Sequence, residues 1–246
     1  MDLTVMTYNT HSCIGTDGKM SPQRIADVIK EYAPDVVALQ ELDMGLRRSD
    51  SVDQAQMIAD EIRMDYHFHP TLFIEDGQYG NAILTHFPMH IVRACHLPGL
   101  PGRTRLEKRG ALWVELTIGI KAVQVIVVHM GLNRSERLAQ AMELTGEGWL
   151  TSPQCRGPVI LCGDLNAPPG SRVHKLFRTC LRDAHGCVGP QATWPGRLPF
   201  IRLDYIYVSD DVSVLDCTRL RSPLIRVASD HLPLIARLRI KSVGED

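Results

Sequence analysis

VILCGDLNAPPGS, residues 159–171, places an acid and an amide at the end of an apolar run and before a Pro-Pro-Gly turn. A short, nearly continuous apolar run is typical of a strand that is covered on both faces. Residues two apart on an extended chain point the same way, so Asp164 and Asn166 are predicted to face one cavity while Leu165 returns to the core. The segment therefore predicts a functional site at the mouth of a buried strand.

The chain before this segment alternates between helical and extended patterns. Ser21 and Pro22 predict the start of a helix that runs to about Tyr32, and Ser51 or Asp53 predicts the start of a second helix through Arg63. A third helix is predicted over residues 134–150. Strands are predicted at LTVMTYN, PDVVALQELD, YHFHPTLFI, GNAILTH and MHIVRACHL, and in a hairpin within ALWVELTIGIKAVQVIVVHM.

Strand patterns return after residue 158, at PVILCGD, LDYIYVS, VSVLDCTRL and LPLIARLRI. Hairpin-rich stretches interrupted by helices predict an α+β fold of layers. The expected architecture is a four-layer α/β sandwich, in which two mainly antiparallel β-sheets pack face to face with the helices outside. No internal repeat, linker or low-complexity segment interrupts the chain, so residues 1–246 are predicted to form a single domain.

Composition limits the kinds of partner. The formal net charge is −1, so no global basic field attracts nucleic acid or anionic lipid, and any polyanion has to be held locally. The start, MDLTVMTYN, alternates polar and apolar residues without the basic and apolar regions of a signal peptide. No run approaches the roughly 18 apolar residues of a membrane span.

The seven cysteines are scattered and form no C-x-x-C pair. An odd number without such a pair predicts reduced thiols and a cytoplasmic location, and argues against a disulfide framework or a zinc site.

Polar residues that are unsuited to a core recur at the predicted strand ends. They are Asn9, Glu41, Asn81, His129, Asp164, Asn166, Asp204, Asp230 and His231. Taken singly, most have an ordinary explanation, such as a turn for asparagine or a solvated strand end for glutamate. Asp204 is harder to explain, because an acid between Leu203 and Tyr205 is costly to bury unless it is paired. Their joint occurrence predicts a rigid rim that carries a site.

Seven segments together resemble the ordered motifs of the endonuclease/exonuclease/phosphatase superfamily. They are MTYN, VVALQELD, YGNAILTHFP, VVHMGLNRSER, LCGDLNAPPGS, RLDYIYVS and ASDHLPL, and they run from residue 3 to about residue 238. G-D-x-N-A with a late S-D-H is highly specific, and HSCIGTDGKMSPQRIADVI further resembles compact bacterial members. The resemblance implies a metal-dependent hydrolase with the pancreatic-deoxyribonuclease-like fold.

The resemblance implies a divalent cation and in-line attack of water on a phosphate ester. Glu41 is the expected main carboxylate ligand, helped by Asn9 and by Asp230, directly or through water. Mg²⁺ is the expected ion, and Mn²⁺ the expected substitute. The ion would polarise the phosphoryl group and stabilise the leaving oxygen.

The remaining residues receive roles around the phosphate. Asp164 is expected to orient and deprotonate the attacking water, and Asn166 to donate a hydrogen bond to a phosphate oxygen. His231 is expected to contact the phosphate, with Asp204 holding the imidazole and raising its pKa. An alternative assigns water activation to a His-Asp pair.

His129 is expected to be a second phosphate donor, and Asn81 to orient it. Some relatives carry an acid where this chain has Asn81. A neutral partner favours the charged imidazole less than an acid would.

The superfamily includes nucleases, abasic-site endonucleases, sphingomyelinases, inositol-phosphate phosphatases and tyrosyl-DNA phosphodiesterases, so the core implies the reaction and not the substrate. A phosphodiesterase acting on nucleic acid, on a phospholipid headgroup or on a small diester is expected, with a catalytically silent phosphate-binding module as the alternative. The sequence carries no sign of an oligomeric state. Two loops, residues 96–110 and 186–202, are expected to set specificity through Arg103, Arg105, Lys108, Arg109, Trp194, Arg197, Phe200 and Arg202.

Overall fold

Two six-stranded sheets form the body of the protein in the computed structural model, which describes residues 1–74, 77–103, 106–186 and 191–241. The strands are β1 (Asp2–Asn9), β2 (Val36–Met44), β3 (Asp65–Ile74), β4 (Gly77–Thr85), β5 (Met89–His96), β6 (Gly110–Ile118), β7 (Lys121–His129), β8 (Val159–Asp164), β9 (Arg182–Asp183), β10 (Asp204–Val208), β11 (Val212–Arg219) and β12 (Leu234–Ile240). The helices are α1 (Pro22–Tyr32), α2 (Gln54–Ile62), α3 (Arg134–Leu144), α4 (Arg172–Phe177) and α5 (Ile225–Ala228).

The first sheet has the strand order β11-β12-β1-β2-β4-β3, and the second has the order β5-β6-β7-β8-β10-β9. Each sheet contains one parallel pair, β1 with β2 and β7 with β8. The remaining neighbours are antiparallel. The prediction of two mainly antiparallel sheets is therefore confirmed, and in both sheets the parallel pair lies at the centre.

Three apolar layers hold the fold together. Alternate residues of the strands, such as Val5 and Val125, meet between the two sheets. On the outer face of the first sheet Met6 and Tyr8 pack against α1 and α2, and on that of the second Trp113 packs near α3 and α4. Each fully buried large apolar side chain contributes about 1.5–3 kcal/mol relative to exposure. The predicted four-layer α/β sandwich with the helices outside is confirmed.

The helix boundaries follow from local capping. The Ser21 side chain accepts a hydrogen bond from Arg24 N at the start of α1, as predicted. The cap of α2 is Asp53, which accepts from Gln56 N, so Ser51 is not the starting residue.

The prediction that the third helix reaches residue 150 is wrong, because α3 ends at Leu144. The Thr145 hydroxyl donates to the Ala141 carbonyl at 2.9 Å, and Gly146 N then closes a turn onto Glu143 O. The short helix α4 was not predicted; it is capped by Ser171, which accepts from His174 N.

Two further expectations concern membrane-spanning segments and the cysteines. No helix among the described residues is long and apolar enough to cross a membrane. Six cysteines are described, and all six are free thiols, whereas Cys187 lies outside the described residues.

Candidate active site

A β-bulge positions Glu41 at the end of the first sheet. Two residues of β2, Gln40 and Glu41, oppose the single residue Asn81 of β4. The bulge places Glu41 at φ 61°, a left-handed conformation that is uncommon for a glutamate. Strained backbone of this kind is concentrated at functional sites, and here it leaves the Glu41 carboxylate 22% exposed at the cavity wall.

Asn9 ends β1 and joins the carboxylates of the two sheets. Its Nδ2 donates to Glu41 Oε1 at 2.8 Å and to Asp164 Oδ2 at 3.0 Å. Its Oδ1 accepts from the backbone N–H of His11 at 3.1 Å. One amide therefore fixes the distance between acids that belong to different sheets.

Three chemically active residues form a row across the second sheet. Asp164 at the end of β8 lies opposite His129 of the parallel strand β7 and opposite Asp204 of the antiparallel strand β10. The close approach of β7 to β8 requires Gly163, because a Cβ there would lie 1.9 Å from the Val128 carbonyl oxygen. Strand register thus brings the three side chains together.

Asp164 and Asn166 reach the same cavity through a tight turn. β8 ends at Asp164, and Asn166 adopts φ 49°, so the predicted extended geometry is wrong at this point. The Asn166 N–H donates to Asp164 Oδ1 at 2.7 Å, which is an Asx turn. Asn166 Nδ2 donates to Met130 O at 2.9 Å and lies 3.3 Å from His129 Nε2, while Leu165 is fully buried as predicted.

Asp164 Oδ2 is the centre of the site. Besides Asn9, it has His129 Nε2 at 3.7 Å and His231 Nε2 at 3.8 Å. His129 Nε2 also lies 3.7 Å from Glu41 Oε1. Burial raises the pKa of the Asp164 carboxyl above its ordinary value, and the neighbouring His231 charge only partly opposes this.

His231 has the partner that was predicted for it. Its Nδ1 lies 2.9 Å from Asp204 Oδ2, and both side chains are buried. Burial lowers the pKa of His231, but the charges of Asp204 and Asp164 outweigh this and raise that pKa to about 10. Ser229 Oγ holds the preceding turn by donating to Asn9 O at 2.8 Å. The charged imidazolium is therefore the stable form beside Asp164.

His129 is in a different state and has a different partner from the one predicted. Arg109 Nη1 lies 3.0 Å from its Nδ1 and 3.1 Å from its Nε2, so the guanidinium has an acceptor in either neutral tautomer. Burial, followed by the charges of Arg109 and His231, lowers the pKa of His129 well below its ordinary value. Asn81 Nδ2 donates to Gly110 O at 3.2 Å, so its predicted contact with His129 is wrong.

The sequence did not single out His11, which lies at the cavity mouth. Its Nδ1 lies 3.3 Å from Asp230 Oδ1 and 3.9 Å from Glu41 Oε2. Trp194 Nε1 donates to Asp230 Oδ2 at 3.1 Å. His11 therefore separates Asp230 from Glu41, and the one signal for it in the sequence is its position two residues after Asn9.

The residues predicted to set specificity lie in different environments. Arg109 contacts His129, and Arg202 is buried in an ion pair with Asp183. Arg197 donates to the backbone carbonyl of Thr16. Trp194 bonds Asp230 and meets the ring of Phe200 edge-on, whereas Phe200 itself is 73% exposed and free to touch a ligand. Arg103 and Lys108 are exposed, and Arg105 lies outside the described residues.

Two overlapping groups of ligand atoms are close enough to hold a metal ion. Glu41, His129 and Asp164 form one group, and Asp164, Asp204 and His231 form the other, with the atoms of each group within 4.8 Å of one another. The second group already contains the hydrogen-bonded pair of His231 and Asp204. The first brings the carboxylates of Glu41 and Asp164 together, and such oxygen ligands suit Mg²⁺ or Mn²⁺. The first group, with Asn9 adjoining, therefore fits the expected ion.

Comparison with known proteins gives a family match, a relative and two similar solved structures. The profile of the Endonuclease/Exonuclease/phosphatase family matches residues 6–231. The uncharacterized protein YbhP of Escherichia coli K12 is 28% identical over 254 residues, which cover 96% of each chain. An endonuclease/exonuclease/phosphatase from Bacteroides vulgatus is 18% identical with a TM-score of 0.79, over 98% of this chain and 100% of the other. A mannosyl-6-phosphatase from Bacteroides thetaiotaomicron is 20% identical with a TM-score of 0.72, over 96% and 99%.

At these identities the two solved structures establish the shared fold. The family match goes further, because it spans most of the chain and contains every residue of the site, from Asn9 to His231. Members of this family hydrolyse phosphoric esters. The chain belongs to the endonuclease/exonuclease/phosphatase family.

Proposed function

We propose that the protein is a metal-dependent phosphodiesterase in which Asp164 orients and deprotonates the attacking water. One observation carries the proposal: side chains from both sheets converge on a single carboxylate oxygen, Asp164 Oδ2, with Asn9 at 3.0 Å and two imidazoles within 3.8 Å. Burying an acid among these groups costs folding free energy. A catalytic role accounts for that cost.

Glu41 would hold a divalent cation, Mg²⁺ or Mn²⁺, with Asp164 and His129 beside it and Asp230 reaching it through water. Asn9 would join them only with its amide turned, because its Nδ2 faces Glu41 and Asp164 and its Oδ1 accepts from the His11 N–H. When bound, the cation supplies polarisation of the phosphoryl group and charge stabilisation at the leaving oxygen. The other groups of the site act on water and phosphate directly.

Asp164 suits the role of general base. Its pKa is raised by burial, and a base with a pKa nearer neutrality accepts a proton more readily. The Asn166 N–H and Asn9 Nδ2 hold its two oxygens in fixed directions. Orientation and basicity are therefore both supplied by this chain.

Asn166, His231 and His129 would bind the phosphate. Asn166 uses one amide hydrogen on Met130 O, which leaves the other for a phosphate oxygen in place of His129 Nε2. His231 supplies a positive charge that Asp204 maintains, and the neutral His129 supplies a hydrogen bond. The catalytically silent module is the weaker interpretation, because it leaves the cost of the buried acids unexplained.

The test is the nicking of supercoiled plasmid in Mg²⁺, with a chelated sample, the Asp164→Ala variant and the exposed-acid control Asp210→Asn. We expect nicking that requires both the metal and Asp164 and is unaffected at Asp210. In parallel, bis(p-nitrophenyl) phosphate and p-nitrophenyl phosphate compare a diester with a monoester. Absence of hydrolysis of every ester, or hydrolysis by a folded Asp164→Ala protein at the wild-type rate, would refute the proposal.

A further inference from the structure

A cationic groove lies between the first turns of α3 and α4. Arg134, Arg137 and Arg172 line it together with Ser135 and Ser171, and its volume is about 550 Å³. No acidic side chain is among the described residues that line it. We refer to these five residues as the arginine groove.

The arginine groove lies on the helices that follow two residues of the candidate site. α3 follows His129 through residues 130–133, and α4 follows Asp164 through residues 165–171. Asn166 Nδ2 ties these two connections together by donating to Met130 O at 2.9 Å. The groove and the proposed phosphate-binding side chains of His129 and Asn166 are therefore carried by the same two connections, which are bonded to each other.

None of the three groove arginines forms a salt bridge with a described residue. The side chains of Arg134 and Arg172 are exposed and form neither a hydrogen bond nor an ion pair with any described residue. Arg137 Nη1 donates to two backbone carbonyls, Gly131 O at 3.2 Å and Leu132 O at 2.6 Å, which hold its guanidinium at the wall without neutralising it. The nearest acid of α3, Glu136, is buried against Gly131.

Several arginines elsewhere in the molecule are paired with acids. Arg24 bonds Asp17, Arg182 bonds Asp210 and Arg239 bonds Asp2. In the arginine groove, three guanidinium groups without a salt bridge to a described residue line one concavity of a chain of net charge −1. Guanidinium groups bind phosphate oxygens in a bidentate manner, so phosphate is the fitting ligand.

We propose that the arginine groove binds the phosphate next to the scissile one in a single-stranded nucleic acid. The proposal rests on the proposed function and names its substrate class. A positively charged groove that continues from the reaction site follows a chain of regularly spaced phosphates, as in single-strand binding proteins. A substrate with one phosphate fills the catalytic site alone. Near-neutral net charge opposes tight duplex binding, which requires neutralisation of many phosphates.

The first test uses two trithymidylates of equal size, one with two phosphate linkages and one with a neutral methylphosphonate in place of one linkage. We expect wild-type kcat/KM to be about tenfold higher for the fully charged trimer, as loss of charged hydrogen bonds predicts. The double variant Arg134→Gln/Arg172→Gln should lose this preference while it hydrolyses bis(p-nitrophenyl) phosphate at the wild-type rate. Arg237→Gln, which removes an exposed arginine of β12, should keep the preference. A preference retained by the double variant would overturn the proposal.

The second test measures binding without turnover. In chelator, the anisotropy of a fluorescein-labelled trithymidylate should report a dissociation constant about tenfold higher for the double variant than for wild type and Arg237→Gln. If wild type hydrolyses no ester but its binding of the trimer still depends on Arg134 and Arg172, the proposed function is wrong and the proposed role of the groove is supported. If hydrolysis occurs and neither its rate nor the binding of the trimer depends on these arginines, the proposed role of the groove is wrong while the proposed function is supported. Binding of inositol trisphosphate in the groove without binding of the trimer would also overturn the proposal.

Discussion

His129 and His231 approach the same oxygen of Asp164 at nearly equal distances, 3.7 Å and 3.8 Å, yet they differ in charge. The group behind each imidazole makes the difference. His231 has Asp204 behind it, which raises its pKa, whereas burial and the Arg109 guanidinium lower the pKa of His129. Burial alone would leave both neutral. The comparison shows that one counter-charge turns a buried histidine into a fixed cation.

Because they differ in charge, the two histidines have different roles in the site. The neutral His129 lies near Glu41 and Asp164, so it adds no positive charge where a divalent cation would bind. The charged His231 lies on the side of Asp204, where it can offset the charge of a phosphate. Single substitutions can alter one side of this arrangement at a time.

Asp164→Asn removes the carboxylate that both histidines share. We expect turnover to fall by about 10³-fold or more, because a general base and its orientation are lost together. Thermal unfolding in chelator should move to higher temperature at neutral pH and above. The raised pKa means that ionised Asp164 costs folding free energy there, and the neutral amide removes the cost. A variant that is less stable than wild type would contradict this account.

Asp204→Asn removes the counter-charge of His231 and leaves the imidazole buried. The pKa of His231 should fall below its ordinary value, so the imidazole is neutral at neutral pH and the phosphate loses a cationic partner. We therefore expect kcat/KM to fall by about 10²-fold at neutral pH. Because Asp204 acts through His231, the pH optimum should also move downward. Asp210→Asn, on the exposed surface, serves as the control, and an unchanged pH profile in Asp204→Asn would show a merely structural role.

Arg109→Gln acts on the other histidine. Removal of the guanidinium should raise the pKa of His129, and a partly charged imidazole would oppose the cation held by Glu41. We expect the Mn²⁺ concentration for half-maximal activity to rise about tenfold. Arg103→Gln changes an exposed arginine of the same loop and should leave that concentration unchanged. Equal effects of the two variants would contradict the claim that Arg109 keeps His129 neutral.

The smallest expected effect is one on stability, and His231→Gln measures it. The folded pKa of His231 is raised from 6.5 to about 10, so its contribution to the free energy of unfolding is full below pH about 6.5 and lost as the pH rises through about 10. Urea unfolding in chelator should show wild type more stable than the variant at pH about 6, with the difference shrinking toward pH about 10. A difference that is constant with pH would contradict the raised pKa.

The strand ends were predictable because each polar residue interrupts an apolar run. His129 and Asp164 follow such runs directly, and the register of β7 and β8 then places them side by side. The pairing of His231 with Asp204 was implied by the family resemblance, because both lie in motifs that the resemblance covers. Local sequence and motif order were thus enough to predict the strands, the residues at their ends and the pairing of His231 with Asp204.

The remainder depends on long-range packing. The bulge at Glu41 exists because β4 offers one residue to two of β2, which no local pattern records. Arg109 reaches His129 from the end of a loop, so its contact replaced the one predicted for Asn81. The arginine groove joins two helix starts, and one of these helices has only six residues. Short elements carry too little periodicity to be recognised.

The most direct measurement is a pH titration of the histidine side chains by NMR in the metal-free wild-type protein, with His129→Gln and His231→Gln used to assign the two resonances. We expect His231 to titrate well above 6.5, near 10, and His129 to stay neutral down to a pH well below 6.5. Titration of both imidazoles near 6.5 would contradict the claim that Asp164 lies between a charged and a neutral histidine.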